Sequence, residues 1–181
     1  MITVICNLSL DGVMQAPGRA DEDLRGDFAY GGWAAPYSAD AMGRVLGERA
    51  GHEAGLLVGR ETYQALADFW PKQPPNPYTE ALDQQHKYVV SSTLRDPEWV
   101  NTHVIGIDDI KSLKAEQDLV ILGSGALIRS IPELIDEYIL LIHPLVLGTG
   151  LRLFGDTHQK LELTEAIPTT TGVVITKYRR P

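Results

Sequence analysis

Leu119-Val120-Ile121-Leu122-Gly123-Ser124-Gly125-Ala126-Leu127-Ile128 is the stretch that decides the fold class. Four aliphatic residues in a row have strand length and no polar face, as expected of a parallel strand covered on both sides. They end in Gly-Ser-Gly, and a second apolar run with helical spacing follows at once. Gly123 and Gly125 allow a tight turn and a close approach of backbone to a pyrophosphate, whose charge the N-terminus of the next helix would meet. Ile128 stands where a third glycine would complete G-x-G-x-x-G, so the fingerprint is partial, and an ordinary strand-to-helix turn is the plain alternative.

Working outward, further runs of strand length occur at Ile2–Leu8, Ala54–Val58, Lys87–Val90, Thr102–Ile107, Glu137–His143, Leu161–Ile167 and Val173–Tyr178. Helical spacing of apolar residues appears in Ala39–Arg49, Glu61–Asp68, Ile110–Leu113 and Ala126–Ile131. Strand and helix alternate through the first half, which calls for crossover connections and a parallel sheet with helices on both faces. The last strands have no helix between them and read as antiparallel. The expectation is a single α/β domain, residues 1–181, with a mixed, mostly parallel sheet of about eight strands. Gln15–Pro36 and Pro71–Pro77 are left as long loops, the first a candidate lid.

The 181 residues are 44% hydrophobic, enough for one core and too few for two. The net charge of -8 argues against a general nucleic-acid binder, which needs clustered Lys and Arg. Tyr138–Leu147, interrupted by His143 and Pro144, is far shorter than the ~20 residues of a membrane span. Met1–Leu10 lacks the basic start of a signal peptide, and the single cysteine, Cys6, has no disulfide partner. A cytoplasmic protein is expected. His52, His86, His103, His143 and His158 have no metal-ligand spacing, so no metal is expected. No G-x-S-x-G elbow is present.

Two further junctions resemble the first. Leu56-Leu57-Val58-Gly59-Arg60-Glu61-Thr62-Tyr63 is a strand ending in Gly and entering a helix with Arg60 and Thr62 in its first turn, a good place for a phosphate. Lys87-Tyr88-Val89-Val90 ends in Ser91-Ser92-Thr93 with Arg95 close behind, hydroxyls and a cation suited to a monophosphate such as the one that distinguishes NADPH from NADH. Each alone reads equally as a turn; three in one short chain point to a dinucleotide site.

Asn7-Leu8-Ser9-Leu10-Asp11-Gly12-Val13-Met14 carries the first strand into a glycine loop. Asp11 is placed either to orient a substrate amide or supply a proton through water, or to hydrogen-bond within its own turn. Asp27-Phe28-Ala29-Tyr30-Gly31-Gly32-Trp33 could close over a flat heterocycle or pack as a satellite of the core. Asn7, Asp27 and Trp33 are the candidate substrate contacts. His143 reads first as an ordinary strand residue, with an acid–base role the lesser alternative.

Taken in order, Ser9-Leu10-Asp11-Gly12, Gly59-Arg60-x-Thr62, Val90-Ser91-Ser92 and Gly123-Ser124-Gly125 resemble the dihydrofolate reductase superfamily over nearly the whole chain. His143-Pro144-Leu145-Val146-Leu147-Gly148-Thr149-Gly150-Leu151-Arg152-Leu153-Phe154 resembles more closely the C-terminal reductase domain of bifunctional riboflavin enzymes. The resemblance implies a dihydrofolate-reductase-like three-layer fold and an NADPH-dependent oxidoreductase. It implies pyrophosphate at Gly59, Arg60 and Thr62 and at Gly123, Ser124, Gly125, Ala126 and Leu127. It implies the 2′-phosphate near Ser91 and Ser92, and the nicotinamide beside Leu8 and the loop through Met14. It also implies a homodimer and hydride transfer to a small nitrogen heterocycle or ribosylamino-pyrimidine, as in 5-amino-6-(5-phosphoribosylamino)uracil reductase. Dihydrofolate reductases carry an acidic residue after the first loop, and Asp27 is the one candidate here. Authentic dihydrofolate reduction and a non-catalytic nucleotide-binding protein are the alternatives. Nothing in the chain matches the zinc deaminase that often precedes the riboflavin-type reductase.

Overall fold

The computed structural model describes residues 1–48, 53–156 and 158–181. Eight strands form one sheet: β1 (Ile2–Ser9), β2 (Ala54–Gly59), β3 (Lys87–Val90), β4 (Thr102–Ile105), β5 (Asp118–Leu122), β6 (Glu137–His143), β7 (Glu162–Pro168) and β8 (Val174–Arg179). Their spatial order is β4-β3-β2-β5-β1-β6-β8-β7. Every pair from β4 to β6 is parallel, and β8 and β7 close the sheet antiparallel. The expected mixed sheet is therefore present, with strand ends displaced by a residue or two.

Position in the sheet follows side-chain chemistry. Ile2-Thr3-Val4-Ile5-Cys6 of β1 is buried on both faces, which suits a central parallel strand. β7 is exposed almost throughout, carries Glu162 and Glu165, ends in Pro168 and has a register shift between Leu163 and Glu165. Charge, proline and irregularity are the features that keep an edge strand from extending the sheet by edge-to-edge pairing.

Among the described residues five helices cover the sheet: α1 (Ser38–Glu48), α2 (Arg60–Ala67), α3 (Pro77–Gln84), α4 (Ile110–Glu116) and α5 (Gly125–Ser130). One core layer joins Val4, Cys6 and Leu8 to Leu57, Ile121, Leu127 and Ile128. The opposite layer joins Ile5, Leu56 and Val58 to Ala41, Val45, Tyr63, Leu82 and Trp99. Helix, sheet, helix is thus the layering. Burial pushes the Cys6 thiol up to about 12, so the buried sulfur stays protonated. Arg49, expected to end the first helix, and His52 lie outside the described residues.

Helix α3 corrects the expectation of an extended loop running through Pro77. Asn76 accepts hydrogen bonds from Tyr78 N (2.9 Å) and Thr79 N (3.2 Å), and Thr79 Oγ1 accepts from Asn76 N (2.9 Å). With Pro77 in the first turn this is a complete helix start, readable from Asn-Pro-x-Thr.

The far end of α3 is held by Lys87, which is fully buried. Its ammonium donates to the carbonyls of Gln85 (2.8 Å), Val100 (3.1 Å) and Asp83 (3.4 Å) and lies 4.5 Å from the centre of the Trp99 ring. Trp99 Nε1 donates to Asp83 Oδ1 at 2.6 Å, so one lysine and one indole fasten the helix to β3 and the segment after it. Burial lowers the Lys87 pKa to about 8, leaving the ammonium charged at neutral pH.

Candidate functional site

Because β3, β2, β5, β1 and β6 are parallel, their C-terminal ends meet at one edge of the sheet, where open α/β sheets bind ligands. The Gly59, Ser91, Gly123 and Asp11 segments therefore converge, as do Asn7 and His143. None of this proximity is local in sequence.

Gly123 (φ 63°) and Ser124 (φ 59°) both take the left-handed conformation, and space above Gly123 is open. That turn swings Ser124 Oγ toward β2, where it accepts the Gly59 N–H at 3.1 Å. One donor at the start of α2 is thereby taken by the neighbouring strand's turn. Arg60 reaches the other way, donating from Nη1 to Thr93 Oγ1 at 2.9 Å and pairing with Glu61 at 2.6 Å. Ser91 Oγ accepts from Thr93 N (3.1 Å) and Leu94 N (3.0 Å), folding the segment after β3 into a polar turn with Ser92 exposed. Thr62 is half-buried in the first turn of α2, and Ala126 is exposed on α5. Met14 packs over Gly125 so closely that a Cβ there would lie 2.6 Å from its sulfur. Leu8 and Leu127 turn their side chains into the core, so a ligand can meet them only through backbone.

Of the readings open for Asp11, the hydrogen bonds favour the turn-holding one, extended here to a loop anchor. Its Oδ1 accepts from Ser9 Oγ (2.6 Å) and Leu147 N (3.1 Å), and its Oδ2 accepts from Gly148 N (2.8 Å) with Arg152 Nη2 at 3.5 Å. Arg152 Nε also donates to the Asp11 carbonyl at 2.9 Å. The Ser9 hydroxyl, followed by the Leu147 amide, holds the carboxyl well below the usual carboxylate range, so it carries no proton to give. Its partners form a strap, residues 144–152, lying across the turn after β1.

Gln15 and Trp33 close the other side. Gln15 donates from Nε2 to the carbonyls of Arg25 (2.8 Å) and Asp23 (3.2 Å) and accepts the Leu151 amide at 3.0 Å. Trp33 Nε1 donates to the Gln15 carbonyl at 2.7 Å, and its ring is buried with Val13, Ala16, Phe28 and Ala34. The expected lid is a braced segment whose indole is already packed inside. Asp27 is corrected as well: it is exposed on the single 3-10 turn Arg25–Asp27 and has no polar partner among the described residues. It takes no part in the buried cluster.

That cluster is Asn7, His143, Trp33 and Tyr37. His143 sits opposite Ser9 at the end of β6, fully buried, with Nε2 2.9 Å from Asn7 Oδ1. Trp33 and Tyr37 meet the imidazole edge-on at 5.2 Å and 5.6 Å between ring centres. Burial lowers its pKa to about 4, so the ring is neutral at neutral pH. Sequence reasoning did not rank His143 as a site residue, because only strand register brings it beside Asn7. Among the described residues no group of three or more His, Cys, Asp or Glu is arranged to hold a metal, and no helix is long and apolar enough to cross a membrane.

Residues 1–175 match the family model of the RibD C-terminal domain. The chain belongs to the RibD C-terminal domain family. Among curated proteins, Uncharacterized protein YyaP of Bacillus subtilis (strain 168) is 30% identical over 121 residues, 60% of this chain and 63% of that protein. The aligned part thus spans less than two thirds of that relative's length. Among solved structures, a provisionally named riboflavin biosynthesis protein from Shewanella sp. PV-4 superimposes with a TM-score of 0.69 at 23% identity, over 99% of this chain and 98% of its own. Dihydrofolate reductase from Enterococcus faecalis, solved with NADP(H) and RAB-propyl, gives a TM-score of 0.65 at 13% identity, over 99% and 96%. These likenesses establish the dihydrofolate-reductase-like fold that the RibD C-terminal domain shares.

Proposed function

We propose that this RibD C-terminal domain is an NADPH-dependent reductase acting on a small nitrogen heterocycle or ribosylamino-pyrimidine. The observation that carries the reading is the convergence, at one sheet edge, of three turns rich in Gly, hydroxyls and Arg, two of them linked by the Gly59–Ser124 hydrogen bond. The open approach to Gly123 leaves backbone accessible to a pyrophosphate. Arg60, which the family resemblance gives to the pyrophosphate, reaches Thr93 and joins Ser91 and Ser92 where a 2′-phosphate would need cation and hydroxyl partners. Met14 and the turn after β1 would flank the nicotinamide. NADPH would supply the hydride; the chain's own part is to bind, orient and exclude water. The strap and the braced Trp33 segment supply that exclusion.

Among the described residues the site holds no carboxyl free to donate a proton, so the reading assigns the substrate's proton to solvent or to a substrate group. The exposed position of Asp27, apart from the buried cluster, speaks against the acidic contact that folate reduction would call for. By family likeness we extend the proposal to a cytoplasmic homodimer built on the later strands, which sedimentation of the purified protein would test.

The decisive measurement is titration with NADPH and with NADH, followed by tryptophan fluorescence and energy transfer to the nicotinamide. Micromolar NADPH binding, with NADH weaker by about tenfold or more, is expected, and Arg60→Ala should erase most of that difference. Binding of neither would overturn the reductase reading.

A further inference from the structure

The Asn7–His143 pair carries one more step. Nδ1 of His143 is buried without a hydrogen-bond partner among the described residues, and Nε2 lies 2.9 Å from the Asn7 carboxamide. A neutral imidazole has a single N–H. On Nδ1 it would be a donor buried among Trp33 and Tyr37 with no acceptor among the described residues. On Nε2 the proton meets an acceptor, and only a lone pair is left over. The ring is therefore the Nε2–H tautomer, donating to Asn7.

That assignment fixes a group that otherwise has two equivalent settings. With its oxygen committed to the buried imidazole, the Asn7 carboxamide must present its NH2 away from His143. Asn7 is half-buried at the C-terminal end of β1, and its Nδ2 has no hydrogen-bond partner among the described residues. The Asn7 NH2 is a donor pair held on a rigid central strand beside the turns assigned to the nicotinamide. Resting on the reductase reading, we propose that Asn7 determines substrate specificity by donating to a carbonyl-type acceptor on a planar ring, and that His143 is the positioning residue that fixes the amide in that sense. The site then favours oxo-substituted heterocycles over amino-substituted ones, since a ring NH2 brought against the Asn7 NH2 leaves both donors unpaired.

The test pairs ligand preference with the state of the imidazole. Uracil and 2,4-diaminopyrimidine are titrated separately into the protein, with and without NADPH, by calorimetry. The wild type is expected to prefer uracil by about tenfold, the size of effect one unmatched donor produces. Asn7→Asp, nearly identical in shape, turns the outward donor into an acceptor and reverses the preference. His143→Phe fills the space without an N–H and narrows the preference, whereas His143→Gln, which keeps a donor, retains more of it; a role in packing alone would give no such split. Long-range nitrogen–proton correlation NMR of the wild type at neutral pH should show His143 as the Nε2–H tautomer. An Nδ1–H or imidazolium signal overturns the proposal, as does equal or absent binding of the two pyrimidines or a preference unmoved in Asn7→Asp. NADPH affinity, measured on the same samples, judges the reductase reading separately, because neither the tautomer nor the ligand preference depends on it.

Discussion

Asp11 and Gly148, 137 positions apart in sequence, are joined by a 2.8 Å hydrogen bond from the glycine amide to the carboxylate. The bond, with its neighbour to Leu147, holds the strap over the turn after β1. Asp11→Asn should release it: amide hydrogen exchange at Leu147 and Gly148 is expected to accelerate and the melting temperature to fall. The folded-state pKa is depressed, so the anchor's contribution is present above the ordinary carboxylate value and is lost as pH falls through the lower folded one. The Asn variant should lack that acid-sensitive part. Unchanged exchange would remove Asp11 from the role of anchor.

Gly150 is the position in the strap least tolerant of a side chain. Its φ is +113°, and a Cβ would lie 2.7 Å from Val13 Cγ1 and 2.8 Å from Phe28 Cε2. Gly150→Ala combines backbone strain with overpacking and should cost about 2 kcal/mol or more in urea unfolding. Gly123→Ala, with positive φ but open space, should cost only about 1 kcal/mol.

Lys87→Met keeps the stem and removes the ammonium. The carbonyls of Asp83, Gln85 and Val100 lose their shared donor, and about 2 kcal/mol of destabilisation is expected. The wild type should also gain stability as pH rises from about 8 toward the ordinary lysine value of 10.5, because over that range the unfolded chain binds the proton more tightly. Met at this position should flatten the profile, as seen by unfolding at pH 7.5 to 10 in steps of about one unit.

His143 gives an acid limb of its own. Its folded pKa of about 4 lies below the ordinary 6.5, so the unfolded chain takes up the proton first and stability declines as pH drops through that window. The full loss approaches about 3 kcal/mol. Chemical unfolding at neutral pH and near the lower end of the window should show it in the wild type and show much less in His143→Phe.

Much of the architecture is legible along the chain because parallel strands buried on both faces spell themselves as aliphatic runs. Ile2–Cys6 and Leu119–Leu122 are recognisable without their neighbours. The junctions at Gly59 and Gly123 are legible for a related reason, since glycine at a strand end followed by helical spacing has few other uses. Helix α3 was missed although Asn76, Pro77 and Thr79 announce its start, because the prolines before it read as loop. What stayed hidden depends on register and on distance. Whether Asp11 donates a proton or anchors a strap is decided by amides more than 130 residues away. Whether His143 is an ordinary strand residue is decided by Asn7, two positions along the neighbouring strand from its register partner Ser9. Lys87 is only the start of a strand-length run in the sequence, and the meeting of α3 with the segment after β3 makes it a buried clamp.

The place of β1 between β5 and β6 reaches back into synthesis. Its two hydrogen-bonding neighbours begin at Asp118 and Glu137, so β1 leaves the ribosome well before either of them and is among the last strands to find its place. At roughly 5–20 residues per second, the Ile2–Cys6 run waits on the order of ten seconds for partners, unpaired on both edges. The newborn chain in that interval is a natural client for a chaperone that grips extended apolar segments, and Cys6, inert once enclosed, is then open to oxidants. Oxidation of Cys6 would thus belong to the protein's making, before the fold exists to enclose it.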